Sequence, residues 1–323
     1  MSSNSMTASP IPRGSHGMSN DLRIGIDLGG TKIEAIAMDL HGVELQRLRL
    51  PTPVNDYQAA LRTVATLVAE IEQELGGKGQ VGVATPGSLS PTSNRMRNAN
   101  STWLNDQKLD RDLIRILKRP VRMANDADCF VLSEIRDGVA RHAKSVFGVI
   151  LGTGVGGGIA IEGRLMLGHN RIAGEWGHNP MPWAKIGEFP GPDCHCGKRG
   201  CIETFLSGPG LSEDHWRATS DRLSPQEIEQ LACQGDERAE TSLRRYEDRL
   251  ARGLASVINV LDPEIIVLGG GLSNLARLYG SIPQRWLEFV FSDQVTTRLL
   301  PPQHGDASGA RGAAWLWDEA SSG

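Results

Sequence analysis

Residues 22–39 read LRIGIDLGGTKIEAIAMD: an apolar run, a glycine turn, then a second run in which apolar and polar residues alternate. A period of two marks strands, and so short a turn between them makes a β-hairpin at the start of a sheet. Residues 145–161 read SVFGVILGTGVGGGIAI and repeat the plan. Asp27-Leu28-Gly29-Gly30-Thr31 and Leu151-Gly152-Thr153-Gly154 thus occupy equivalent settings about 120 residues apart. Such a recurrence predicts two related half-molecules. The fold class is α/β, with two mixed domains flanking a cleft.

Working outward, Tyr57 to Leu75 reads as a helix whose Leu61, Val64, Val68, Ile71 and Leu75 share a face, stopped by Gly76-Gly77. Gln80 to Ala84 is a strand running into Thr85-Pro86-Gly87, and Val121 to Ala124 is another, ending at Asn125-Asp126 where a helix opens. A long helix covers Asp236 to Leu261 and stops at Asp262-Pro263. A buried strand, Ile265 to Leu268, then runs into Gly269-Gly270-Gly271, and a last short helix covers Ala310 to Trp317.

The 323 residues carry 34 Lys+Arg against 38 Asp+Glu, a formal charge of −4 without a basic block, so no nucleic-acid partner is expected. The uncharged stretch from Ser145 to Ile161 is too short and too rich in glycine for a membrane span. Five cysteines are too few for a disulfide scaffold. Residues 1–21 are polar, lack an apolar signal core and read as a disordered extension, with Pro12-Arg13-Gly14-Ser15-His16 resembling a cloning-tag remnant. A cytoplasmic location is the expectation.

Three glycine turns follow apolar strands, at Gly29-Gly30-Thr31-Lys32, at 152–158 and at Gly269-Gly270-Gly271. Glycine lets backbone N–H groups close on an anion, although plain tight turns use it equally. Two familiar phosphate motifs fail on context. Gly152-x-Gly154-x-x-Gly157 has dinucleotide spacing, but the strand Ile159-Ala160-Ile161 follows where that motif requires a helix. Gly25-x₄-Gly30 has Walker spacing, but Thr31-Lys32 stands in reversed order.

Cys194-His195-Cys196-Gly197-Lys198-Arg199-Gly200-Cys201 gives Cys-x-Cys-x₄-Cys, with His178 upstream. Cys₃His is a closed structural zinc set, with His195 as a competing ligand and unlinked thiols or a strained disulfide as the alternatives. Cys129 and Cys233 read as ordinary thiols.

Taken together, these motifs resemble the ROK family of sugar kinases, within the actin-like ATPase superfamily. The matching segments are Asp27 to Lys32, Thr85-Pro86-Gly87, Asn125-Asp126-Ala127, the Gly152 loop, Gly174-Glu175-Trp176-Gly177-His178, the cysteine loop running into Cys201-Ile202-Glu203, and Gly269-Gly270-Gly271. They cover the chain from Leu22 to Trp317. Residues 98–104 (NANSTWL) and 175–180 (EWGHNP) resemble the bacterial fructokinase, or mannofructokinase, branch.

The resemblance implies two actin-like, ribonuclease H-like domains: 22–122 completed by a C-terminal helix at 308–318, and 123–307 with a zinc loop at 178–201. It implies ATP-dependent phosphorylation of a hexose 6-hydroxyl, D-fructose first and mannose second. Glucose, N-acetylglucosamine and N-acetylmannosamine are the alternatives. Asp126 would be the catalytic carboxylate, although Asp at that position also suits a helix cap. Gly87, Ser88, Asn100, Thr102, Asn125, Glu175, His178 and Glu203 would bind sugar. Gly29, Gly30, Thr31, Lys32, Gly152, Thr153 and Gly154 would hold phosphates, with Gly269, Gly270 and Gly271 at the adenosine end. Asp27 would meet Mg²⁺ through water; His178, Cys194, Cys196 and Cys201 would hold structural Zn²⁺. A homodimer is implied. A sugar-responsive repressor of the same family is disfavoured, because only about twenty residues precede Leu22, too few for a helix-turn-helix domain.

Overall fold

The computed structural model describes residues 22–318, except the side chain of Asp306; the expected extension at 1–21 lies outside them. The first half begins β1 (Arg23–Leu28), β2 (Lys32–Met38) and β3 (Glu44–Pro51). Helix α1 (Tyr57–Leu75) follows, its start capped by the Asp56 side chain and its end by left-handed Gly76. Then come β4 (Gln80–Thr85), the small hairpin β5 (Ser88–Leu89) and β6 (Met96–Arg97), α2 (Leu109–Leu117), β7 (Val121–Asn125) and α3 (Asp126–Arg136).

The second half repeats this order. It has β8 (Ser145–Leu151), β9 (Val155–Ile161) and β10 (Arg164–Leu165), then α4 (Glu203–Leu206), α5 (Gly208–Thr219), α6 (Pro225–Cys233) and α7 (Glu237–Leu261). It closes with β11 (Ile265–Gly269), α8 (Arg277–Arg285), β12 (Arg298–Leu300) and α9 (Ser308–Trp315). The two five-stranded sheets run β3-β2-β1-β4-β7 and β10-β9-β8-β11-β12, strand for strand the same topology. In each, an antiparallel hairpin is extended by parallel strands: β1 pairs antiparallel with β2 and parallel with β4, and β8 does likewise with β9 and β11. The first sheet therefore runs to Asn125, three residues beyond the boundary expected at 122.

The two final helices are exchanged. α3 follows the first sheet yet packs on β8 and β9, whereas α9 follows the second and packs on β1 and β4. The approach is backbone to backbone. A Cβ on Gly25 or Gly82 would come within 1.8 Å of the α9 carbonyls of Ala310 or Ala313, and one on Gly312 within 1.7 Å of the α3 carbonyl of Cys129. Between them α3 and α9 form a shared apolar layer of Cys129, Phe130, Leu132, Ala310, Ala313 and Ala314. Separate clusters lie outside it, one of α1 against the first sheet and one of α7 against the second. The exchange fixes β7 and the head of α3 at the seam of the two halves. No helix among the described residues is long and apolar enough to cross a membrane.

Candidate functional site

β7 delivers Asn125 and Asp126 to the head of α3. Asn125 is the cap: its Oδ1 accepts the Ala127 N–H at 2.8 Å, and its Nδ2 donates to the Gly87 carbonyl at 3.1 Å. That second bond ties the helix head to the turn after β4, where Gly87 takes a φ of +74° that a side chain would strain. Asp126 begins the helix proper, with Oδ1 also 2.8 Å from the Ala127 N–H. Burial above all, with the Glu175 charge nearby, pushes Asp126 up to about 6 despite that N–H. A carboxyl held there is ionised at pH 7 and still basic enough to take a hydroxyl proton.

A cleft of about 280 Å³ opens over this helix head. Its walls include Gly87, Asn100, Asn125 and Asp126 from the first half, with Gly152, Thr153, Gly154, Glu175, His178 and Glu203 from the second. Glu203 is fixed by the Val155 N–H on Oε2 at 2.9 Å and by His195 Nδ1 at 3.1 Å from Oε1. A Cβ on Gly154 would stand 2.7 Å from that carboxylate, so the glycine is what admits it.

Other expected residues stand elsewhere. Ser88 lines an adjoining pocket, and Thr102 opens a short 3₁₀ turn outside the cleft walls. The Gly29–Lys32 turn also lies outside those walls; Thr52 anchors it by donating its hydroxyl to the Gly29 carbonyl at 2.7 Å, and Lys32 is 3.6 Å from Glu34. Gly270 (φ +79°) abuts Leu151, which sets Gly269–Gly271 beside the Gly152 loop, outside the cleft walls. The Asp27 carboxylate faces Gly309 at the start of α9; its oxygen donors suit a hard cation such as Mg²⁺.

Sequence reasoning missed Asn98 in the cleft wall and Asp128 in the adjoining pocket, and took His195, also in the cleft wall, only as a competing metal ligand. Asp128 lies one α3 position beyond Ala127, and its buried Oδ1 has no hydrogen-bond partner among the described residues. Burial, then the charges of Asp126 and Glu175, pushes it up to about 7.

His178 joins the cleft to the cysteine loop. The ligand atoms of His178, Cys194, Cys196 and Cys201 all lie within 4.8 Å of one another. Cys194 Sγ is 3.6 Å from His178 Nδ1, and Cys196 Sγ is 3.6 Å from Cys201 Sγ. A tetrahedral zinc with bonds of about 2.1 Å to nitrogen and 2.3 Å to sulfur sets its ligands roughly 3.6–3.8 Å apart, so the set fits. Burial, then its two thiol neighbours, pushes Cys201 up to about 12, a balance that a divalent cation would invert. Backbone bonds of Met181 to Gly200 and of Ile202 to Asn179, both 2.9 Å, stitch the loop to the His178 turn.

Comparison with known proteins places this geometry. The model of the ROK family matches residues 23–320. The chain belongs to the ROK family. It is 40% identical over 297 residues to an N-acetyl-D-glucosamine kinase of Escherichia coli O139:H28, an alignment covering 90% of this chain and 98% of that one. Its fold matches the ROK hexokinase of Thermus thermophilus at a TM-score of 0.79 and 30% identity, over 91% of this chain and 96% of that one. It also matches a ROK glucokinase of Streptomyces griseus solved with glucose and AMPPNP, at 0.76 and 27%, over 91% and 98%. As a ROK sugar kinase, the chain has the two-domain actin-like fold.

Proposed function

We propose that this protein transfers the γ-phosphoryl group of ATP to the 6-hydroxyl of a 2-acylamino hexose, N-acetyl-D-glucosamine foremost. The observation that carries the chemistry is Asp126: a carboxylate at a helix head, in the cleft, with no cationic partner among the described residues. The sugar rests on the relatives, which are N-acetyl-D-glucosamine kinases over nearly their whole length. The D-fructose preference expected from residues 98–104 and 175–180 gives way to that alternative.

In the proposed reaction Asp126 accepts the 6-hydroxyl proton as the oxygen attacks the γ-phosphorus and ADP departs. Glu175, His178 and Glu203 hold the ring hydroxyls from the opposite wall, each carboxylate able to accept from two neighbours. The Gly152-Thr153-Gly154 turn offers backbone N–H groups to the phosphates, and the Gly29–Lys32 turn faces them from the first half. Magnesium, with Asp27 as its outer partner, would offset charge on the phosphates. Zinc on His178 and the three cysteines would fix the imidazole facing the sugar and so the sugar wall itself. A homodimer remains part of the same proposal.

A sugar panel ranked by kcat/KM tests the reading, with the phosphorylated position read by ³¹P NMR. N-acetylglucosamine should lead fructose, mannose and glucose and be modified at O6. Fructose in first place would restore the other reading, and no sugar-dependent ADP release would end both.

A further inference from the structure

Beside the main cleft lies a second, smaller pocket of about 50 Å³, which shares Asn125, Gly157 and Glu175 with it. Its apolar walls come from both halves: Leu89 and Met123 from the first, Leu167 and Ala173 from the second. Arg97 holds the two together, donating from Nη2 to the Asn170 carbonyl at 2.9 Å, so the small hairpin grips the loop that forms the far wall. Asp128 also lines it, with its buried, unpartnered Oδ1. An orphaned buried carboxyl oxygen costs stability unless something fills the vacancy in its hydrogen bonding. Thr85, Ser88, Arg171 and Glu175 line it as well, but neither a ring hydroxyl nor a phosphate explains the apolar side chains in its walls.

Taking the proposed sugar as its basis, we infer that this pocket receives the sugar's 2-acylamino group, the methyl between Leu89, Met123, Leu167 and Ala173 and the amide against Asp128. The chemistry matches on both counts. An amide offers one donor and one acceptor side by side, and a carboxylic acid offers the complementary pair, its carbonyl oxygen accepting the N–H while its O–H donates to the amide oxygen. Burial among Asp126 and Glu175 holds Asp128 up at about 7, which keeps a protonated fraction near neutrality. At about 50 Å³ the pocket has room for a small acylamino group. A buried polar partner of this kind discriminates strongly against a sugar that lacks the amide.

Two measurements test it. With the wild-type protein, glucosamines carrying N-acetyl, N-propionyl and N-butyryl groups are compared by kcat/KM. The acetyl form should lead, with the propionyl form about tenfold and the butyryl form about a hundredfold below it, each surplus methylene being worth about tenfold in a closed pocket. In parallel, Ala173→Leu and Asp128→Ala are assayed with N-acetylglucosamine and glucose. The ratio of kcat/KM for the two sugars should drop about tenfold or more in both variants. Equal turnover of the butyryl and acetyl sugars, or an unchanged ratio, would overturn the pocket assignment while leaving the kinase reading intact. Failure to phosphorylate any 2-acylamino sugar would overturn the pocket assignment together with the N-acetylglucosamine reading. The acyl series needs no variant to fold.

Discussion

Along α7, the acids meet arginines. Glu188 accepts from Arg249 at 2.8 Å and from Arg252 at 2.9 Å, Asp214 from Arg245 and Arg249 at 2.7 Å each, and Asp248 from Arg252 at 3.0 Å. In the cleft, Asp126, Asp128 and Glu175 form no ion pair among the described residues. The consequences are opposite in sign. Burial would raise Glu188, but bonds from Arg252, the Lys185 N–H and Arg249 outweigh it and hold the group at about 2, whereas burial prevails at Asp126 and Asp128. The paired set anchors the 183–191 segment on α7, with Arg252 also donating to the carbonyls of Pro182 and Trp183. The unpaired set stands where a substrate would arrive. Stability and chemistry are separated by which acids are given cations.

The comparison can be broken at either end. The largest effect on stability should follow Arg252→Ala, which leaves Glu188 with Arg249 as its remaining arginine and strips two carbonyls, those of Pro182 and Trp183, of their donor. A loss of about 3 kcal/mol is expected, read as a fall in thermal midpoint. Cys196→Ser tests the loop that joins the two regions. It should abolish a bound zinc of about one equivalent per chain, read by metal analysis, and reduce turnover roughly tenfold or more through the His178 wall. Wild-type protein free of zinc would refute the metal.

The pH profile sharpens the comparison in the cleft. Because Asp126 is raised to about 6, its carboxylate is lost below that pH, and kcat/KM should fall about tenfold per unit on the acid side. The limb belongs to the coupled pair of Asp126 and Asp128 rather than to one group. The smallest effect is on stability. Asp128 titrates higher folded than unfolded, so its ionisation costs nothing below pH 4 and its full penalty above about 7. Asp128→Asn should therefore raise the thermal midpoint by about 2 °C at pH 8 and leave it unmoved at pH 4. The sign reverses for Glu188, whose contribution is complete above its ordinary range and disappears as pH falls toward 2.

The helix α1 was legible to the residue, because its apolar face and Gly76 are local signals. That Cys194, Cys196 and Cys201 converge with His178 was legible through spacing, since a short loop leaves few ways to converge. Asp126 was legible only through its motif: burial and the Glu175 charge, which tune it, come from segments nearly fifty residues apart in the chain. Asp128 gave no signal, because what distinguishes it is a missing hydrogen bond. The exchange of α3 and α9 was equally silent. It depends on Gly25, Gly82 and Gly312 meeting helices far away in sequence, and each alone looks like a weak point in an element.

The central claim is that the unpaired carboxylate at the head of α3 performs the proton transfer. Asp126→Asn keeps the shape and removes the base, so one titration of N-acetylglucosamine beside one turnover assay decides it. The dissociation constant should stay within about threefold of wild type while kcat falls by about 10²–10⁴. A variant that binds the sugar and turns it over at near wild-type rate would contradict the claim.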